Sequence, residues 1–67
     1  MKLKDAIIRY RAANNLSMKD FAAQVGLSVQ TIYNIESVEQ NPSRVTRAKI
    51  EMFLGDEYQI DREEEEE

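Results

Sequence analysis

The chain contains no cysteine and no histidine in its 67 residues. Lacking cysteine, it has no disulfide framework and no thiolate zinc site, so one small apolar core must hold it together. Lacking histidine too, it cannot assemble the usual nucleophile–base constellations or an imidazole metal site. The expectation is a protein without enzymatic activity, without a metal and without a cofactor. No apolar run approaches the roughly 18 residues that a membrane span needs. The N-terminus carries Lys2 and Lys4 but not the apolar stretch of a signal peptide, so a cytoplasmic location is expected. Proline occurs once and glycine twice, and Gly26, Pro42 and Gly55 each read as punctuation between elements.

Positive charge is also scarce overall, the formal net charge being −4. Its distribution is uneven. Residues 1–55 hold eight Lys/Arg against five Asp/Glu, a net +3, whereas residues 56–67 hold one arginine against eight acids, a net −7. The sequence therefore divides into a mildly basic domain, 1–55, and an acidic C-terminal tail, 56–67. The like-charge run Glu63–Glu67 is expected to repel itself into disorder and to act as a solubilising tail. A sharper alternative is an acidic arm that competes with phosphate for a basic surface.

What the chain does have is helical punctuation. Leu3, Ile7 and Tyr10 recur at helical spacing among Lys4, Asp5, Arg9 and Arg11, which predicts an amphipathic first helix over 3–14, broken by Asn14 and Asn15. Ser17 followed by Asp20 resembles a capping box and starts helix two, about 17–25. Phe21, Ala22 and Val25 form its inward stripe, and Gly26 supplies the left-handed stop. Ser28 can cap a further helix, about 28–37, in which Ile32 and Ile35 face inward while Val29, Gln30, Tyr33 and Asn34 face outward. Two short helices around a glycine make a helix-turn-helix.

The order Ala22, Gly26, Leu27, Ser28, Ile32 and Glu36 resembles the Cro/cI repressor-like (XRE) helix-turn-helix family, with Arg11, Leu16, Asn41–Pro42 and Leu54–Gly55 in agreement. The resemblance covers about residues 3–55 and implies an all-α, lambda-repressor-like bundle of four to five helices. It also implies that side chains at Val29, Gln30, Tyr33 and Asn34 meet bases, that Ser28 makes a backbone contact, and that Arg11 and Glu36 brace helix one against helix three. Two departures stand out. Met18 replaces a glutamine that binds phosphate in relatives, and Val38 replaces the glycine that ends helix three. A β-branched residue cannot take positive φ cheaply, so this helix is expected to end differently.

A fourth helix runs from the Ser43 cap to Leu54, with Ile50, Phe53 and Leu54 on its core stripe. Arg44 and Arg47 stand where relatives carry leucines and, with Lys19, are candidate phosphate contacts. Val45, Ala48 and Met52 draw a second apolar line, so this helix is either rotated or covered by a partner. The predicted core is Leu3, Ile7, Leu16, Phe21, Ala22, Val25, Ile32, Ile35, Ile50 and Leu54.

Two functions follow. The first is a DNA-binding transcriptional regulator of Cro/cI type that reads a double-stranded operator half-site through helix three, because an amide in the major groove can bond adenine at N6 and N7. The second is a protein-binding modulator, such as a phage or bacterial antirepressor, that uses Met18, Val29 and Tyr33 to occupy a partner repressor's DNA-binding domain. Neither reading involves a membrane, and the oligomeric state is left open.

Overall fold

The computed structural model describes residues 1–61, and within them the chain folds as four α-helices. These are α1 (Leu3–Asn14), α2 (Met18–Val25), α3 (Val29–Tyr33) and α4 (Arg44–Leu54). A π turn, Asn34–Val38, continues α3, and a 3₁₀ turn, Asp56–Tyr58, follows α4. The described residues contain no strand. The expected disorder of Glu63–Glu67 lies outside the described residues.

The starts of α2, α3 and α4 are set by serine. Ser17 Oγ accepts from the Asp20 N–H at 3.0 Å while Asp20 Oδ2 accepts from the Ser17 N–H at 3.4 Å, a reciprocal capping box. Ser28 and Ser43 accept from the N–H groups of Thr31 and Thr46 at 3.1 and 3.2 Å. Each cap satisfies a backbone donor that the helix itself leaves without a partner.

The ends of α1 and α2 follow one rule. A left-handed residue, Asn15 (φ 57°) or Gly26 (φ 89°), lets the next N–H turn back five residues: Leu16 to the Arg11 carbonyl at 2.8 Å and Leu27 to Ala22 at 2.9 Å. At the third end the left-handed residue is Glu39 (φ 60°), and the Gln40 N–H reaches back six residues, to Asn34 at 3.0 Å. One extra residue has been taken into the last turn, which is what a π turn is. Val38 is thereby kept helical, and the strained conformation passes to an unbranched neighbour.

Leu3, Ala6, Ile7, Phe21, Ala22, Ile32, Ile35, Ile50 and Leu54 form the core. Leu16 and Val25, predicted in it, are half-buried at its margin, whereas Ala6, not predicted, is fully buried. The difference is geometric: Leu16 lies in the link between α1 and α2, and Val25 in the last turn of α2, so each has protein on one side only. Four rings knit the elements edge to face, with Tyr10 centred 5.9 Å from Phe21, 5.3 Å from Phe53 and 6.3 Å from Tyr58.

The boundary expected at residue 55 falls short of where packing ends. Tyr58 and Ile60 are half-buried against the core, and the Asp61 N–H donates to the Met1 carbonyl at 2.7 Å. Two apolar side chains in the acidic segment are enough to bring its first six residues back to the start of α1. Nor is α4 rotated: Ile50 and Leu54 are buried, and Val45, Ala48 and Met52 point to solvent.

Candidate nucleic-acid interface

The outward side of α3 presents four of the predicted residues. Val29 and Tyr33 are each 47% exposed, Gln30 is exposed, and Asn34 is half-buried at the first position of the π turn. Burial of Ile32 and Ile35 on the opposite side fixes this orientation, because a helix cannot roll without drawing them out of the core.

Gln30 and Asn34, four residues apart, bond to each other. Gln30 Nε2 donates to Asn34 Oδ1 at 2.9 Å, the amide pair that i, i+4 spacing favours. A primary amide has two N–H donors and one carbonyl, so Gln30 keeps one N–H and its Oε1 for a ligand. Asn34 therefore restrains the Gln30 amide while leaving free one donor and one acceptor, the pair of groups that an adenine N7 and N6–H edge takes. The i, i+4 spacing was itself a signal for this bond, overlooked when both residues were read as separate base contacts.

Ser28 is occupied at the cap and meets Thr31 Oγ1 at 2.9 Å. Met18, at the first position of α2, is half-buried and leans on the core rather than standing out as surface. Its flexible unbranched chain can fold down where a glutamine amide would need water. Beside α3, a shallow polar cleft is lined by Thr31, Asn34, Gln40, Asn41, Ser43 and Thr46. It joins the outward face to the start of α4, and apart from Asn34 none of these was singled out for binding from sequence.

The three candidate phosphate contacts differ. Lys19 and Arg44 are exposed, near the N-terminal ends of α2 and α4, and neither is in an ion pair among the described residues. Each adds charge where helix dipoles already favour an anion. Arg47 is committed within the protein: its Nε lies 2.8 Å from Glu51 Oε2, and its Nη2 donates to the Asp61 carbonyl. Arg47 therefore ties the C-terminal segment to α4.

Arg11 and Glu36 meet in an ion pair. Arg11 Nη1 lies 2.6 Å from Glu36 Oε1, and Arg11 Nε donates to the Leu16 carbonyl at 3.2 Å. The Glu36 side chain is only 5% exposed. The pair locks the α3 end of the motif to α1, so the outward face is held against a rigid support.

Glu39, the left-handed residue, accepts from Lys4 Nζ at 2.6 Å. That hydrogen bond, reinforced by the attraction of opposite charges, holds the Glu39 carboxyl below the usual carboxylate range and raises the Lys4 ammonium. Among the described residues no group of His, Cys, Asp or Glu could hold a metal ion, and no helix is long and apolar enough to cross a membrane.

The sequence has relatives. A helix-turn-helix family model matches residues 7–55. The chain is 40% identical over 53 residues to a protein of Methanocaldococcus jannaschii named as an uncharacterized HTH-type transcriptional regulator, covering 79% of this chain and 80% of that protein. No solved structure gives a significant match.

Proposed function

The chain belongs to the helix-turn-helix family, and from that premise we propose that it is a DNA-binding transcription regulator of Cro/cI type that reads an operator half-site through α3. The observation that carries this reading is the Gln30 amide, held by Asn34 on the exposed side of α3 with a donor and an acceptor to spare. Adenine is the base edge it suits, and Val29, one position away, can contact a thymine methyl. Tyr33, exposed on the same face, can serve a phosphate or base edge, while Lys19 and Arg44 supply charge at two helix starts. The family and the named relative support DNA as the partner.

A second reading is favoured by one observation: Val29 and Tyr33 make half of the outward face apolar. On that reading the same face docks on a partner repressor's DNA-binding domain. One experiment separates the two. Binding to random and selected duplexes is measured at low and moderate salt for the wild type, Gln30→Ala and Tyr33→Ala. DNA reading predicts a steep loss of affinity with salt and a loss of about 1–3 kcal/mol, with relaxed preference at one base, for Gln30→Ala. No duplex binding at low salt would overturn it. A protein interface should instead depend most on Tyr33 and scarcely on salt.

A further inference from the structure

Between the start of α1 and the loop that follows the π turn lies a cleft of about 140 Å³, bordered by Lys2, Lys4, Glu39, Gln40, Asn41 and Arg47. Its three cations outnumber its one anion, so the cleft is basic although the chain as a whole is acidic. Arg47 is held by Glu51 and the Asp61 carbonyl and supplies fixed charge. Lys2 is exposed and in no ion pair among the described residues.

The cleft already holds an anion, and the protein supplies it. Glu39 Oε2 lies 2.6 Å from Lys4 Nζ, although the Glu39 side chain is 64% exposed. Its ionised form is favoured first by the Lys4 hydrogen bond and then by the charges of Lys4 and Lys2. An exposed pair of this kind contributes little and is screened by salt, so Glu39 is an occupant that another anion can displace. A phosphate group suits the place, because lysines and the side-chain amides of Gln40 and Asn41 are among the donors that phosphate oxygens take.

The position says where such a phosphate comes from. Gln40 and Asn41 also line the cleft beside α3, with Thr31 and Asn34. A run of polar and then basic side chains therefore leads from the outward face of α3, across the loop, to the start of α1. We propose that the cleft at the start of α1 is a phosphate site, that it takes a backbone phosphate of the duplex beside the segment α3 reads, and that Glu39 competes with this phosphate for Lys4. The proposal rests on the DNA reading for the source of the phosphate, not for the site itself. Lys4 strengthens binding only when it leaves Glu39, and the effect is the same on every sequence, because phosphate contacts carry no base information.

Two titrations of the full chain test it. Without DNA, inorganic phosphate is added at constant ionic strength and the backbone amide resonances are followed. Glu39→Gln should show saturable shifts at Lys4, Gln40 and Asn41, at lower phosphate concentration than the wild type, and the double variant Lys4→Gln, Glu39→Gln should lose them. No shifts in Glu39→Gln, or equal shifts in the double variant, would overturn the site. With random duplex, affinity is measured between 50 and 200 mM salt for the wild type, both single variants and the double variant. Glu39→Gln should bind more tightly, with a log–log salt slope steeper by about 0.9, so that its advantage is about 3.5-fold greater at the lower salt than at the higher. Simple removal of a negative charge gives the same gain with or without Lys4, whereas competition gives a larger gain with Lys4 present. An equal gain in both backgrounds would overturn the duplex as the source. Phosphate shifts in a set of proteins none of which binds duplex would overturn the DNA reading and leave the site standing, with free phosphate as its ligand.

Discussion

Removing Glu36 tests how much of this small fold depends on one ion pair. Breaking a buried pair costs about 3–5 kcal/mol, mostly because the surviving charge is left without compensation. The two survivors differ here. After Glu36→Ala, the Arg11 guanidinium is 22% exposed and still donates to the Leu16 carbonyl, so the loss should fall near 3 kcal/mol. After Arg11→Ala, the surviving carboxylate is only 5% exposed, and its Oε2 has no hydrogen-bond partner among the described residues even in the intact protein. That loss should lie at the upper end, about 5 kcal/mol. A domain of 67 residues has roughly 3–10 kcal/mol in total, so either variant sits near its unfolding limit. The double variant Arg11→Met, Glu36→Leu removes both charges together, and it should lie within about 1–2 kcal/mol of the wild type. Urea unfolding followed by circular dichroism, extrapolated with a constant m-value, measures all three. A loss under about 1 kcal/mol for Glu36→Ala, or a double variant as weak as the singles, would refute the argument from uncompensated charge.

Phe21 is fully buried between Tyr10 and Phe53, with ring centres 5.9 and 5.6 Å away. Phe21→Ala should cost about 3–5 kcal/mol, so a thermal midpoint close to the wild type would remove Phe21 from the core. The Lys4–Glu39 pair gives a prediction with a sign. The Glu39 carboxyl is depressed, so its contribution is present above its unfolded-state pKa and is lost as pH falls through the folded value. The Lys4 ammonium is raised, so its contribution is present below its unfolded-state pKa and is lost as pH rises through the folded value. The difference in midpoint between wild type and Glu39→Gln should therefore hold through neutral pH, vanish in acid, and shrink with salt. A difference that persists in acid would mean that Glu39 acts through its backbone and not its charge.

The fold was legible wherever a local signal had a single physical meaning. Ser17, Ser28 and Ser43 read as caps because a serine before an apolar-periodic run has little else to do there, and the buried faces of α2, α3 and α4 followed from spacing. Ala6 was missed because alanine fits inside and outside alike, and only the approach of neighbouring elements buries it. In the segment after Gly55 the acids dominate the composition, while its packing follows Tyr58 and Ile60, which are half-buried against the core. At the site, the outward face of α3 was readable from periodicity. The Arg11–Glu36 pair was not: 25 residues separate the two, and only the family resemblance suggested it. The polar cleft between α3 and α4 depends on how two helices meet, which no single stretch encodes.

Val38 connects the fold to the site. Because it resists positive φ, the helix absorbs one more residue, and the carbonyl of Asn34 accepts from both the Glu39 and Gln40 N–H groups. Asn34 is thus pinned by its backbone at the start of the π turn. Its side chain is at the same time the acceptor that orients Gln30 on the exposed face. The residue that ends the helix abnormally and the residue that fixes the candidate base-reading amide are therefore coupled through one carbonyl. With glycine at 38 the left-handed position is free to return there, which would shorten the reach of the Gln40 N–H and release one of the two bonds on Asn34. The departure from the resemblance at Val38 is in this sense a departure in how Gln30 is held.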